Sequence, residues 1–554
     1  MENRTLQVIS DFNAEALSRL LLKTLESQEI MTNTAPFAQV HQSLAALPVQ
    51  DFWGAVVWTQ AERIFPSFSR ALALQDVDHA EVLSEVDEFA SLLRLAAANR
   101  YLFIATWHLP EGFDGYGPLD WRLDLGLSNL LARMNLRLAE KLSDIGTVFI
   151  MDSVRWQRGV AVPTSSKMWY AAKVPFVTKV FEQAVNDIAA AIQAINGCSR
   201  RLIVLDLDNT LWGGVIGETG WEGIRLGGHD HIGEAFRDFQ RELKALSNRG
   251  IQLALVSKND ENVALEAFDH HPEMLLKRAD FAGWRINWND KSANVASLMA
   301  ELDLGLNSMV FIDDNPAERD RVAGSFPTVL VPDWPEDPAD YVTALRDMDC
   351  FHTSTISKED RGRKGMYTAE RARKQLKVGT DSSEDWLRRL GTQLTVSRLD
   401  SANLARVTQL FNKTNQLNLS TRRLSENEIT AWVAESNHSM LAFSASDQFG
   451  DMGLIGIIGV EIIDDQAVLL DFVLSCRIMG RKVEEAMIHL ATVEAKRMGA
   501  VKMNIRYIPT ARNRPTLDVF VNAKLQQTVD NLFVLDIQTG FPRPDTIDFV
   551  FLDN

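Results

Sequence analysis

One stretch constrains this chain more than any other: Val204-Leu-Asp-Leu-Asp-Asn-Thr-Leu-Trp-Gly-Gly214. The apolar run Leu202 to Leu205 reads as a buried strand, and it stops at two carboxylates one residue apart, Asp206 and Asp208. In a parallel α/β sheet ligands bind beyond the carboxyl ends of the strands, which puts both acids at a site mouth. Two acids so close repel unless a cation sits between them, and oxygen ligands of this kind suit Mg²⁺. One can attack phosphorus while the other handles the leaving-group proton. Standing alone, Asp-x-Asp reads more readily as a cap on the next helix.

The residues downstream remove that ambiguity. Ala235, Phe236, Phe239, Leu243 and Leu246 recur at helical spacing, closed by Gly250, and a second apolar strand from Ile251 to Val256 ends in Ser257. Lys291 precedes another helical stripe (Val295, Leu298, Met299, Leu302), and a third strand, Met309 to Ile312, ends in Asp313-Asp314-Asn-Pro. Hydroxyl, cation and a further carboxylate pair thus stand in order beside strand ends or helix starts. A phosphoryl site needs this inventory of nucleophile, acid/base, phosphate donor, neutralising Lys and metal ligands.

Asp206-x-Asp208-x-Thr210, Ser257, Lys291 and Asp313-Asp314 resemble the four motifs of haloacid-dehalogenase-like phosphotransferases. The wording of Asp208 to Glu218, Val256-Ser-Lys-Asn259 and Phe311-Ile-Asp-Asp-Asn-Pro316 is more specifically similar to the FkbH-like proteins. Those proteins take the glyceryl unit of 1,3-bisphosphoglycerate, remove its phosphates and load it on an acyl carrier protein for polyketide synthesis. The resemblance implies catalysis by Asp206 as nucleophile and Asp208 as acid/base. It implies phosphoryl binding by Thr210, Ser257 and Lys291. Mg²⁺ would be held by Asp206, the Asp208 carbonyl and Asp313, with Asp314 in support.

At 554 residues the chain exceeds one core, and two to four domains are expected. The expected fold is multidomain α/β: an SGNH-like, flavodoxin-like region over 1–197, a central haloacid-dehalogenase-like Rossmannoid domain over 198–347, a charged helical linker over 348–383, and a GNAT-like α+β region over 384–554. A formal charge of −17 argues against a nucleic-acid partner. Carrier proteins are usually acidic too, so docking one needs a local basic patch, for which Arg361, Arg363, Lys364, Arg371 and Arg373 are candidates. Three widely spaced cysteines exclude a disulfide scaffold and point to a reducing compartment. No apolar run suits a membrane span and the start lacks a signal-peptide pattern, so a cytoplasmic location is expected.

In the first region, strands are expected at Leu6–Ile9, Ala55–Trp58, Tyr101–Thr106 and Thr147–Met151, with helices between them. SGNH hydrolases need a Gly-Asp-Ser after the first strand and a late Asp-x-x-His. Here the strand runs into Ser10-Asp-Phe-Asn13 and no Asp-x-x-His lies near Met168-Trp-Tyr-Ala-Ala-Lys173. Asp11, Asn13, His108 and Asp152 are therefore read as strand-end and capping polars, and the region as a docking or structural module. His229 and His231 fall in the short insertion after Trp212 and read as solvated loop residues.

In the last region Met440–Ser444, Gly453–Ile463 and Ala467–Leu474 read as antiparallel strands. Arg477-Ile-Met-Gly480-Arg-Lys482 then opens a helix, an anion-binding arrangement that resembles the pyrophosphate loop of GNAT acyltransferases. Lys482 stands where that loop has a small residue, and Val521 where a Tyr is expected, so a pantetheine arm suits Arg477, Gly480 and Arg481 better than acetyl-CoA. Cys476, at the strand end, is either a packed cysteine or an acyl way-station activated by the helix N-terminus. Arg422 and Arg423 are possible phosphate or carrier contacts. Two rival readings stay open: a plain small-molecule phosphatase, and a carrier-binding subunit without catalysis.

Overall fold

The computed structural model describes residues 4–47, 52–98, 100–228, 230–302, 304–354, 373, 376–377, 380, 382–414, 416–475, 478–510, 513–528 and 531–552. Its strands form three separate sheets. The first is all parallel, in the order β2-β1-β3-β4-β5, from β1 (Arg4–Ser10), β2 (Ile30–Thr34), β3 (Gly54–Trp58), β4 (Tyr101–Ala105) and β5 (Val148–Met151). Alternate residues of β1 enter different cores, Leu6 and Val8 on one face and Ile9 on the other. Both faces are covered from Leu6 to Ser10, and the apolar Leu6, Val8 and Ile9 fill them beside the buried polar Gln7 and Ser10. β2 was not expected from the sequence: Ile-Met-Thr-Asn-Thr is an edge strand with half its side chains open to solvent, so it has no apolar run to betray it.

The polar residues at the ends of the first sheet behave as caps and anchors. Asn13 Oδ1 accepts from the Glu15 amide, and Asp152 Oδ1 from that of Val154. Buried Asp11 accepts from the Gln60 amide at 3.1 Å and lies 3.0 Å from Arg63 Nε. Its burial pushes its pKa up to about 7.

The central sheet runs β8-β7-β6-β9, from β6 (Leu202–Leu205), β7 (Gln252–Ser257), β8 (Phe281–Ile286) and β9 (Met309–Ile312), again all parallel. Leu202 and Val204 pack on one face with Ala254, Val256, Met309 and Phe311. Ile203 and Leu205 pack on the other with Leu253, Leu255, Val310 and Ile312. β6 and β9 coincide with the runs expected from the sequence. β8 was missed because Gly283 and Arg285 interrupt its apolar pattern at the sheet edge.

The third sheet is mixed, in the order β16-β17-β15-β14-β13-β12-β10-β18, with a short strand, β11 (Leu417–Asn418), pairing β14 off that path. Its strands are β10 (Thr392–Arg398), β12 (His438–Asp447), β13 (Gly450–Ile463), β14 (Gln466–Leu474), β15 (Lys502–Arg506), β16 (Gln526–Gln527), β17 (Leu532–Asp536) and β18 (Ile547–Phe551). The β13–β14 hairpin turns at Asp464-Asp465, with Asp464 in the left-handed region (φ 57°) that Asp tolerates in tight turns. Most of the charged stretch 355–381 lies outside the described residues, including Arg361, Arg363, Lys364 and Arg371. Arg373 is described and departs from its expected place in the basic patch: it is buried against Asp447, Nε to Oδ2 at 2.6 Å, and presents no charge to a partner.

No helix among the described residues is long and apolar enough to cross a membrane.

Candidate active site

Sheet order assembles the site. β6 lies between β7 and β9, with Leu205 level with Leu255 on one side and Ile312 on the other. Asp206 and Asp313, just past their strands, and Ser257, the last residue of β7, therefore meet at one edge. The Asp206 amide donates to the Ile312 carbonyl at 3.0 Å. Lys291 arrives from β8 through a short loop and opens the helix Lys291–Leu302, whose first turn is capped by Asp290 Oδ1 on the amides of Ser292 and Ala293.

The charged groups converge. Lys291 Nζ lies 2.5 Å from Asp313 Oδ2 and 3.1 Å from Asp206 Oδ1, with Lys291 and Asp313 almost fully buried. Carboxylate oxygens of Asp206, Asp313 and Asp314 come within 4.8 Å of one another. Three carboxylates against one ammonium leave surplus negative charge in a dry site, which folding tolerates only with a proton or cation in place. Burial, then the neighbouring Asp206 charge, push Asp313 up to about 7 and raise Asp314 as well. Burial would lower Lys291, but Asp206 and Asp313 outweigh it and hold its pKa raised. Asp206 Oδ1 is buried and receives no well-aligned hydrogen bond among the described residues, even with Lys291 close by. An all-oxygen cluster with surplus charge and an under-satisfied oxygen fits a hard divalent cation.

Asp208 is held differently. Its Oδ1 accepts from the Trp212 indole at 2.9 Å and the Ile216 amide at 3.1 Å, and its Oδ2 from Asn259 Nδ2 at 3.0 Å. The side chain thus stands outside the carboxylate cluster, in a fixed orientation, leaving only its backbone carbonyl to serve a cation. Thr210 Oγ1 accepts from the Asp314 amide at 3.2 Å, and the buried Ser257 Oγ from Asn259 Nδ2 at 3.2 Å. The site therefore brings together Asp206, Asp208, Thr210, Ser257, Lys291, Asp313 and Asp314, all expected from the sequence.

Several supporting residues escaped the sequence reading. Asn259 ties Ser257 to Asp208, and Trp212 orients Asp208 across the turn that follows β6. Arg319 Nη1 donates to the Asp313 and Asp314 carbonyls at 2.9 and 2.8 Å. Lys258 pairs Glu318 at 2.7 Å, pinning the end of β7 to the helix Pro316–Ser325. Spacing was the available signal: Asn259 is two residues beyond Ser257, and Arg319 one turn into the helix after Asn-Pro. Beside Asn209 and Asp314 a cleft of about 770 Å³ opens, walled by Arg225, Arg319, Trp334 and Tyr341. That volume suits a small substrate. The insertion after Trp212 is small, a kinked helix (Ile216–Gly223) followed by a bridge from Arg225 to Gly213. His231 is exposed at the start of the next helix, and His229 lies outside the described residues.

The turn after β14 differs from the open anion site expected there. Cys476 and Arg477 lie outside the described residues. The Gly480 amide donates to Glu484 Oε1 at 2.7 Å, so the chain's own carboxylate fills the position an anion would take. Arg481 is buried, 3.5 Å from Asp447. β11 pairs with the end of β14, and the Leu419 amide donates to the Phe472 carbonyl, so this edge of β14 is occupied as well. Arg422 is paired with Asp471, and Arg423 with the Phe411 carbonyl. Of the other cysteines, Cys198 is exposed, and burial pushes the Cys350 thiol up to about 12, where it is inert.

No family model and no curated protein matches the chain. Among solved structures it is similar to the N-terminal part of a Bacteroides fragilis protein, containing a phosphatase domain and complexed with Mg, at 27% identity and a TM-score of 0.58, over 64% of this chain and 95% of that one. The ribosomal-protein-S18-alanine N-acetyltransferase of Escherichia coli aligns at 11% identity over 26% of this chain and 94% of its own, with a TM-score of 0.20. A spermidine N-acetyltransferase mutant of Vibrio cholerae aligns at 13% over 26% and 95%, with a TM-score of 0.21. Both of these likenesses are too slight to bear on function.

Proposed function

We propose that this chain is a Mg²⁺-dependent phosphatase or phosphotransferase of haloacid-dehalogenase type. The observation that carries the reading is the convergence of Asp206, Asp313 and Asp314 on one buried Lys291 at the carboxyl edge of the central sheet. The similar Bacteroides phosphatase-domain structure, complexed with Mg, supports it. Asp206, Asp313, Asp314 and the Asp208 carbonyl would hold the cation, which when bound neutralises phosphoryl charge. A carboxylate oxygen of Asp206 attacks phosphorus, and the bond to the departing oxygen breaks as Asp208 delivers a proton to it. Asp208 then takes a proton from the water that hydrolyses the aspartyl-phosphate. Thr210, Ser257 and Lys291 hold the transferring oxygens.

The fuller reading is that a glyceryl unit from 1,3-bisphosphoglycerate, or a similar phosphorylated three-carbon acid, is dephosphorylated and passed to the pantetheine thiol of an acyl carrier protein, with Cys476 as way-station. The motif wording from Asp208 to Pro316 supports it. Intact-protein mass spectrometry of a holo carrier protein incubated with the chain, Mg²⁺ and 1,3-bisphosphoglycerate tests it. One added glyceryl group is expected, lost in Asp206→Asn or replaced there by phosphoglyceryl. A carrier of unchanged mass beside free phosphate sinks the transfer step. In that case the chain is a plain phosphatase, a reading that the Glu484-closed turn and the β11-covered edge of β14 favour.

A further inference from the structure

The carrier protein required by this reading needs a basic surface, and the stretch 355–381 does not supply one through Arg373. The segment after β5 has the right chemistry. Residues 152–179 carry five Lys or Arg against a single Asp, in a chain of net charge −17. Arg155, Arg158 and Lys167 are exposed, and neither Arg158 nor Lys167 forms an ion pair with a described residue. Lys173 Nζ sits 5.1 Å from the centre of the Trp169 ring. The facing acids are few: Asp152 at the start, Asp349 within electrostatic reach of Arg155, Glu182 paired with Lys179, and Glu111 bonded to Thr164.

Apolar side chains stand among these cations. Tyr170 is 78% exposed and Val162 63%, with Val154 and Met168 close to half exposed. The segment nonetheless has a firm base. Trp156 is buried with its indole on Asp187, Phe176 is buried and bridged to Thr164, and the Lys173 carbonyl accepts from the Asn13 amide. A segment of short helices (Arg155–Gln157 and Ser166–Ala172) that buries two aromatic anchors while presenting Tyr, Met and Val among Arg and Lys has the composition of a protein interface.

We propose that residues 152–179 dock an acidic protein, namely the acyl carrier protein of the proposed transfer reaction, on which this inference rests. Charge selects a compact occupant. Charges beyond about 8 Å are screened at physiological salt, so a small acidic protein feels the local patch. A membrane or a nucleic acid is an extended polyanion and would also meet the acidic remainder of the chain.

The test titrates the full chain with a recombinant holo acyl carrier protein at physiological ionic strength, following affinity by biolayer interferometry. Arg155→Glu/Arg158→Glu/Lys167→Glu is expected to weaken binding about tenfold or more, and Tyr170→Ala about threefold. Phosphate release from a small phosphate ester should be unchanged in both. Lys496→Glu/Lys502→Glu/Lys524→Glu, an equal charge change at exposed sites elsewhere, should leave binding intact. Equal affinity of wild type and the first triple variant overturns the surface while leaving the functional reading in place. A wild-type chain that releases phosphate but does not bind the carrier overturns both. Capture on phosphatidylglycerol vesicles that the triple variant loses, with carrier binding unaffected, assigns the patch to lipid and overturns it too.

Discussion

Asp208 accepts three hydrogen bonds, and each removes a degree of freedom from a group that must meet the leaving oxygen. Asn259→Ala deletes the bond to Oδ2 and loosens Ser257 as well. Steady-state kinetics should show kcat lower by about 10- to 100-fold with KM within about threefold, because misplacement penalises the transition state more than the ground state. Equal kcat would show that Trp212 and Ile216 suffice. The raised pKa of Asp313 has a definite sign. Folded Asp313 stays protonated up to about 7 whereas an unfolded Asp ionises near 3.8. The cation-free fold thus binds the extra proton, and this residue's contribution to stability falls as pH rises through that window. A cation must displace that proton. Calorimetric titration with Mg²⁺ should therefore show affinity falling by up to about tenfold per pH unit below 7, and levelling above it. A flat profile between pH 6 and 8 would contradict the buried, mutually repelling arrangement.

At the scale of elements, the central sheet was largely legible in the sequence. β6 and β9 are apolar throughout because both faces are covered, and each is followed by a buried carboxylate turned to the charged cluster at the sheet edge rather than to the apolar packing. β2 and β8 were not legible because Thr32-Asn33-Thr34 in one, and Gly283 and Arg285 in the other, break up the apolar run. β11 is shorter still, two residues held by long-range contacts. Its anchor is Asn513, fully buried. The side-chain amide of Asn513 donates to the Asn418 and Ile508 carbonyls, and its Oδ1 accepts from the Tyr507 hydroxyl and the Thr510 amide. Asn513→Ala orphans several of these partners at once and should cost about 2–4 kcal/mol in denaturant unfolding. Phosphatase kcat should not change, and a parallel loss of activity would mean that the third sheet supports the central site.

Over the whole molecule, the three sheets have separate apolar clusters, so unfolding is expected in more than one step. Mg²⁺ binds only one of these units in the proposed scheme. At about 100 times its Kd it should add about 2.7 kcal/mol to that unit alone. Differential scanning calorimetry should then show one transition moving up with Mg²⁺ and back with EDTA while the others stay fixed. Uniform movement would mean that the units unfold together.

What the sequence determined by itself was the chemistry at the strand ends. Asp206, Ser257, Lys291 and Asp313 each sit where a local apolar pattern stops or a helix starts, and pattern and residue type are both local properties. Tertiary structure alone decided which of those ends became neighbours. It also decided that Asn259 and Trp212 would brace Asp208, that Arg373 would be buried on Asp447, and that Glu484 would close its own turn. Those outcomes depend on sheet order and on contacts between residues far apart in the chain, where burial is set by packing that no short window of sequence contains.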